Sequence, residues 1–301
     1  MQNTPEQRFP RRSTGGGWEN AAVPGLVHSA ALQLRVARRL AVRRGATLRE
    51  RVGRRDDRLV FVVGSPRSGT TFLASAIGSV PGFVDLGEVA PVKAAIPELV
   101  GLPTAAAAGR LRGILGTARR VGLVGSVRAV EQTPEVAHLL DAAVTAFPQA
   151  RVVHIVRDGR DVVCSLLEKG WLGPGRAGAA DDAGLAYGVE PRFWVEPERR
   201  REFTAVSDAR RAAWAWRRYV SAARSAATPP YELRYEAMAK DPDAAAADLA
   251  AYLDAPVEPL ASALREVHES SVGRFLTDLS TEQRADVEAE AGSLLRELGY
   301  D

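Results

Sequence analysis

A single cysteine, Cys164, stands in a chain of 301 residues. That excludes an internal disulfide and any metal site built from clustered cysteines. It falls in the apolar stretch Val162-Val163-Cys164 and reads as a buried thiol rather than a nucleophile. No apolar run is long enough to cross a bilayer. The opening residues, MQNTPEQRFPRRSTGGG, hold no hydrophobic core of a secretion signal, so a cytoplasmic location is expected. Lysine occurs only at Lys93, Lys169 and Lys240. Arginine carries almost all the positive charge, a bias that a GC-rich genome would also produce, and no mechanism follows from it. Histidine is confined to His28, His138, His154 and His268.

What is present is enough for a full α/β core: 46% of residues are hydrophobic and 26% charged. The net charge of +3 is unevenly spread, because residues 1–60 carry 13 arginines against 5 acids, a net +8, leaving −5 for the remainder. A basic arm on a mildly acidic body suits an anionic surface. Residues 1–22 are polar and Gly-rich and read as disordered. Residues 25–52 place Leu32, Val36, Leu40 and Val42 among arginines, the pattern of an amphipathic helix that either packs on the body or makes peripheral contact with a membrane. A division into an arm, 1–57, and a folded domain, 58–301, is expected.

From Arg58 onward short apolar strands alternate with helices, the pattern of a parallel sheet wound by crossovers. Strands are expected at 59–63, 83–86, 129–131, 151–156 and 231–234. Helices are expected at about 70–79, 135–146, 159–169 and 206–227, with a helical hairpin over 104–126 and further helices to the end. Residues 170–205, rich in Gly, Ala and Pro with scattered aromatics, read as a lid or binding loop. Trp214 and Trp216 are expected to divide between the buried and exposed faces of one helix.

The most informative stretch is Leu59 to Leu73, LVFVVGSPRSGTTFL. A strand that turns through glycines into a helix aims free N–H groups and the positive end of the helix dipole at one point, which makes an anion cradle. Gly64 and Gly69 keep the spacing of the nucleotide-binding loop G-x-x-x-x-G-K-[ST], and Thr71 takes the hydroxyl position. Thr70, however, replaces the lysine, and the cation has moved into the loop as Arg67. The cradle suits a phosphate-like group handled by a guanidinium without a metal. A second strand–turn–helix, Arg151–Leu167, carries Arg157 at the strand end and Ser165 eight residues later, where both can reach one phosphate. Arg157 could instead pair with Asp161.

Together the two segments resemble the PAPS-dependent sulfotransferase family, bacterial members and the tyrosylprotein-like branch in particular. Phe83–Pro91 (FVDLGEVAP), Leu233–Pro242 (LRYEAMAKDP) and the ending from Ser270 extend the likeness over about residues 58–301. It implies an α/β fold of three layers, a parallel sheet flanked by helices as in P-loop NTPases, and 3′-phosphoadenosine 5′-phosphosulfate (PAPS) as sulfuryl donor, with no metal. By resemblance Arg67, Ser68, Gly69, Thr70 and Thr71 hold the 5′-phosphosulfate, Arg157 and Ser165 the 3′-phosphate. Two separate pockets thus grip opposite ends of one nucleotide. Tyr235 lies near the adenine, and Ser270, Ser271, Gly273 and Arg274 on a closing loop. Glu88 is the implied general base and Arg67 a catalytic cation. Glu88 at a helix start also suits a plain capping role, and Tyr235 a plain core role. Gln132 departs from the pattern, since it stands where the family has a lysine. His138 and His154 are assigned to the fold. The expected acceptor is a hydroxyl on a sugar, lipid or secondary metabolite, with no nucleic acid partner. Two alternatives remain at this point: a small-molecule kinase, and a catalytically silent PAP-binding or membrane-associated scaffold.

Overall fold

The computed structural model describes residues 56–121, 124–181, 183–188 and 193–300. The arm and its amphipathic helix lie outside the described residues. Five strands, β1 (Val60–Val63), β2 (Phe83–Gly87), β3 (Arg128–Glu131), β4 (Arg151–Val156) and β5 (Tyr231–Arg234), form one sheet in the order β2-β3-β1-β4-β5. Every neighbouring pair runs parallel.

Strand β1 and the Leu59 before it are fully buried, as a strand covered on both faces must be. Alternate residues face opposite ways, so Leu59, Phe61 and Val63 join one core and Val60 and Val62 the other. The first core is closed by helices α2 (Ala90–Leu99), α3 (Thr104–Val121), α4 (Leu140–Ala146), α5 (Gly159–Lys169), α7 (Asp208–Arg224) and α12 (Thr281–Glu297). The second is closed by α1 (Thr70–Ser79), α8 (Tyr235–Lys240), α9 (Pro242–Leu253) and α10 (Val257–Leu264). Each large apolar side chain so buried stabilises the fold by about 1.5–3 kcal/mol. Short helices α6 (Arg200–Ala205) and α11 (Phe275–Asp278) complete the described α-helices.

Three sequence expectations need correction. Residues 104–121 form one helix, not a hairpin: Gly109, Gly113 and Gly116 do not break it, because Ala107, Leu111 and Leu115 lay one continuous apolar face on the core. The helix expected at 135–146 begins as a 3₁₀ turn, Pro134–Leu139, and becomes α-helical only at Leu140. Trp214 and Trp216 are both fully buried: one face of α7 packs on α5 and another is covered by α12 and residues before α6.

The chain leaves β1 through α1 toward one face of the sheet and leaves the neighbouring β4 through α5 toward the other, which makes a switch point between these two strands. Ligands of open parallel sheets bind beyond the carboxyl ends of the strands at such a point. The loop after β1 and the turn after β4 are the two anion motifs.

Candidate active site

The loop after β1 is shaped by two close approaches. A Cβ on Gly64 would stand 2.5 Å from the Ile155 carbonyl oxygen, so β1 can leave the sheet beside β4 only through glycine. Gly69 has φ +99°, and a Cβ there would meet the Tyr235 ring at 3.0 Å. Arg67 also adopts a left-handed conformation, φ 73°, an unfavourable choice for a side-chain-bearing residue that clusters at functional sites. The N–H of Ser68 turns back to the Ser65 carbonyl at 3.0 Å. Helix α1 starts with no side-chain cap and no acidic residue in its first turn, which leaves its N–H groups and dipole directed at the loop.

The turn after β4 is held from outside. Asp158 caps α5 by accepting from the Arg160 N–H at 2.9 Å, and the Asp158 N–H donates to Glu236 at 2.7 Å. Trp216 Nε1 donates to the Arg157 carbonyl at 3.0 Å. Its ring lies where a Cβ on Gly159 would be, 2.7 Å away. Arg157 therefore has a fixed backbone and a buried side chain, only 6% exposed.

The two loops abut. Arg67 Nε donates to Ser165 Oγ at 3.0 Å, and Arg157 Nη1 donates to the Arg67 carbonyl at 3.3 Å. Two hydrogen bonds thus hold the loop after β1 and the turn after β4 against one another. Arg157 Nη2 donates to the Ser271 carbonyl, and its guanidinium lies 4.9 Å over the Tyr235 ring. Tyr235 is both core and site: its ring touches Gly69, and its hydroxyl donates to the His268 carbonyl at 3.1 Å. Asp161, the alternative partner of Arg157, instead accepts the N–H groups of Gly273 at 2.8 Å and Phe275 at 3.0 Å. It ties the loop before α11 to α5. Arg274 turns away from this group, its charge taken by Glu168 and by Asp278 at 2.7 Å.

Beyond β2 and β3 lies a second group. The register between these strands shifts at Asp85–Gly87, where the Asp85 carboxylate accepts the Gly87 N–H at 2.7 Å. Such an irregularity re-aims the next side chain, and that residue is Glu88. Its partly exposed carboxylate bonds Lys93 of α2, whose ammonium lies 3.1 Å from Asp181 and 3.9 Å from Glu135. Behind them Glu131 is wholly buried and accepts from the N–H groups of Thr133 at 3.1 Å and Val89 at 3.4 Å. Burial pushes its carboxyl up to about 7 against those hydrogen bonds.

Sequence reasoning missed Lys93, Glu131 and Asp181. The signal for Lys93 was a lysine five residues after Glu88 in a chain that otherwise uses arginine. The other candidates for chemistry are structural. Burial pushes the Cys164 thiol up to about 12 and the His138 imidazole down to about 3, and His154 is lowered by burial as well.

The residues fit a nucleotide bearing two anionic ends. Ser68 Oγ and Arg157 Nε are buried without a hydrogen-bond partner, donors that an anionic group would satisfy. Gln132 Oε1, buried and equally without a partner, is an acceptor and needs a donor instead. Among the described residues no cluster of ligands could hold a metal ion, and no helix is long and apolar enough to cross a membrane.

A model of the sulfotransferase family matches residues 114–259. That stretch takes in β3, β4, Arg157, Ser165 and Tyr235, and leaves out the loop after β1 and Glu88. No curated protein sequence matches the chain. Among solved structures, the fold is similar to the sulfotransferase domain from the curacin biosynthetic pathway, at 15% identity and TM-score 0.52 over 80% of this chain and 98% of that one. It is also similar to the sulfotransferase domain from the Synechococcus PCC 7002 olefin synthase, at 15% identity and TM-score 0.50 over 82% of this chain and 98% of that one. The resemblance to sulfotransferases and the parallel sheet flanked by helices are thus both borne out.

Proposed function

We propose, with the sulfotransferase likeness as premise, that this chain transfers a sulfuryl group from PAPS to a hydroxyl of a sugar, lipid or secondary metabolite. The observation that supports the reading is the direct contact of the two expected anion motifs, through the Arg67–Ser165 and Arg157–Arg67 hydrogen bonds. Residues 58–301 are assigned to the catalytic domain and 1–57 to an arm.

PAPS, when bound, supplies the sulfuryl group and a leaving phosphate. Arg67, Ser68, Gly69, Thr70 and Thr71 are assigned to its 5′ end, where N–H groups at the start of α1 and a guanidinium neutralise charge moving onto the departing oxygen. Arg157 and Ser165 are assigned to the 3′-phosphate, with Tyr235 and Ser271 fixing Arg157 from either side. Arg274 belongs to the same loop and acts there through its ion pairs. Glu88 takes the proton from the acceptor hydroxyl as the oxygen–sulfur bond forms and the bond to the leaving phosphate breaks. Most of the rate enhancement comes from positioning and fixed charge.

The experiment is twofold. PAP should raise the melting temperature, and PAPS with a broad metabolite panel should give products heavier by one SO₃. The absence of both a PAP-dependent shift and any sulfated product would defeat the reading.

A further inference from the structure

Lys169 and Lys240 are exposed at helix ends, whereas Lys93 is buried, with 9% of its surface accessible. Three segments bring carboxylates to its ammonium: Glu88 from the loop after β2, Glu135 from the 3₁₀ turn after β3, and Asp181 from the stretch after α5. A compact ammonium can direct its three protons at acceptors that do not share a plane, whereas the donors of a guanidinium all lie in one. Burial opposes its charge, but Glu135, Glu88 and Asp181 outweigh burial and keep the ammonium protonated well into the alkaline range. Glu135 is itself held by the Tyr219 hydroxyl at 3.2 Å, so the cluster is braced from α7.

Asp181 belongs to a small hairpin. Ala180 and Ala186 pair in an antiparallel bridge. The Tyr187 N–H donates to Ala179 at 2.7 Å, and Gly188 to Trp171 at 2.8 Å. Trp171 stacks on Tyr187, ring centres 5.6 Å apart. One oxygen of Asp181 organises the tip, accepting from Ala183 and Leu185 at 2.9 and 3.0 Å, while the other reaches Lys93. At the opposite end of the hairpin, Trp171 lies 5.8 Å from the Arg67 guanidinium. The hairpin therefore spans from the anion loop to the carboxylate cluster.

We propose that Lys93 is the positioning residue of Glu88 and the latch of this hairpin: one ammonium holds the Glu88 carboxylate and, through Asp181, fastens the hairpin beside it. Glu88 is then set for proton transfer when the hairpin is down over the acceptor. The inference rests on the reading of Glu88 as the base. Gln132 brings no charge to this end of the sheet, and Lys93 is the cation bonded to Glu88.

The test compares the full-length protein with Lys93→Met and Asp181→Asn, using PAPS turnover, PAP binding by calorimetry, and hydrogen exchange over 171–181 and 183–188. Lys93→Met should lower kcat about 100-fold while PAP affinity changes less than about threefold. Asp181→Asn should raise the acceptor KM about tenfold, more than it lowers kcat. Both should speed exchange in the hairpin by about tenfold or more. If Lys93→Met fails to fold, Asp181→Asn alone decides through the KM rise and the exchange. Folded Lys93→Met with kcat within about threefold of wild type, or unchanged exchange in Asp181→Asn, overturns the proposal. A wild-type protein that neither binds PAP nor turns over PAPS would defeat the functional reading instead, and the exchange measurement would still judge the latch.

Discussion

Arg67 and Ser165, 98 positions apart in the chain, are joined by a 3.0 Å hydrogen bond from Nε to Oγ. One belongs to the loop after the central strand, the other to the second turn of the helix that follows its neighbour. Replacing Ser165 by alanine should weaken PAP binding about tenfold, the value of one hydrogen bond to a charged group. Titration calorimetry would show it, and an unchanged affinity would remove Ser165 from the site.

Arg157 distinguishes between ligands. Arg157→Gln should lower affinity for PAP by about 10- to 100-fold, and far less for adenosine 5′-phosphosulfate, which lacks the 3′-phosphate. Equal losses for both would mean that Arg157 serves the loop rather than the ligand.

Glu88 is partly exposed and tied to Lys93, so its replacement should be tolerated by the fold. Glu88→Gln should cut kcat by about 10²- to 10⁴-fold, the usual worth of a general base, with PAP binding retained. Full turnover in this variant would assign the proton to another group.

Glu131 makes stability depend on pH. Its carboxyl titrates near 7 in the fold, against 4.5 as its ordinary value. A group raised in this way contributes stability that is complete below 4.5 and is lost as pH rises through 7. The loss is of the order of 3 kcal/mol. Glu131→Gln should flatten that slope, as urea denaturation at several pH values between 4.5 and 7.5 would reveal. A slope of wild-type steepness in the variant would place the titration elsewhere.

Trp216 couples the core to the site. Trp216→Phe removes the hydrogen bond to the Arg157 carbonyl and should cost about 1–3 kcal/mol, with weaker PAP binding as the turn loosens. A variant that loses stability and keeps full affinity would show that the turn is held without it.

The chain's own order carried the alternation of strands and helices, the glycine-bounded turn of Gly64 to Thr71 between β1 and α1, and the strand-end Arg157 with its helical Ser165. Each is a local pattern: a buried strand must be apolar throughout, and a phosphate cradle needs glycines at a fixed spacing before a helix. Tertiary structure decided the rest. The sheet order β2-β3-β1-β4-β5 set the loop after β1 and the turn after β4 side by side, and packing of α7 against α5 and α12 buried both tryptophans that a single helix would have divided. Lys93 met Glu88, Glu135 and Asp181 only because three loops end at one place. Hydrophobic periodicity reports which face of an element is buried, but not which distant charge will lie against it.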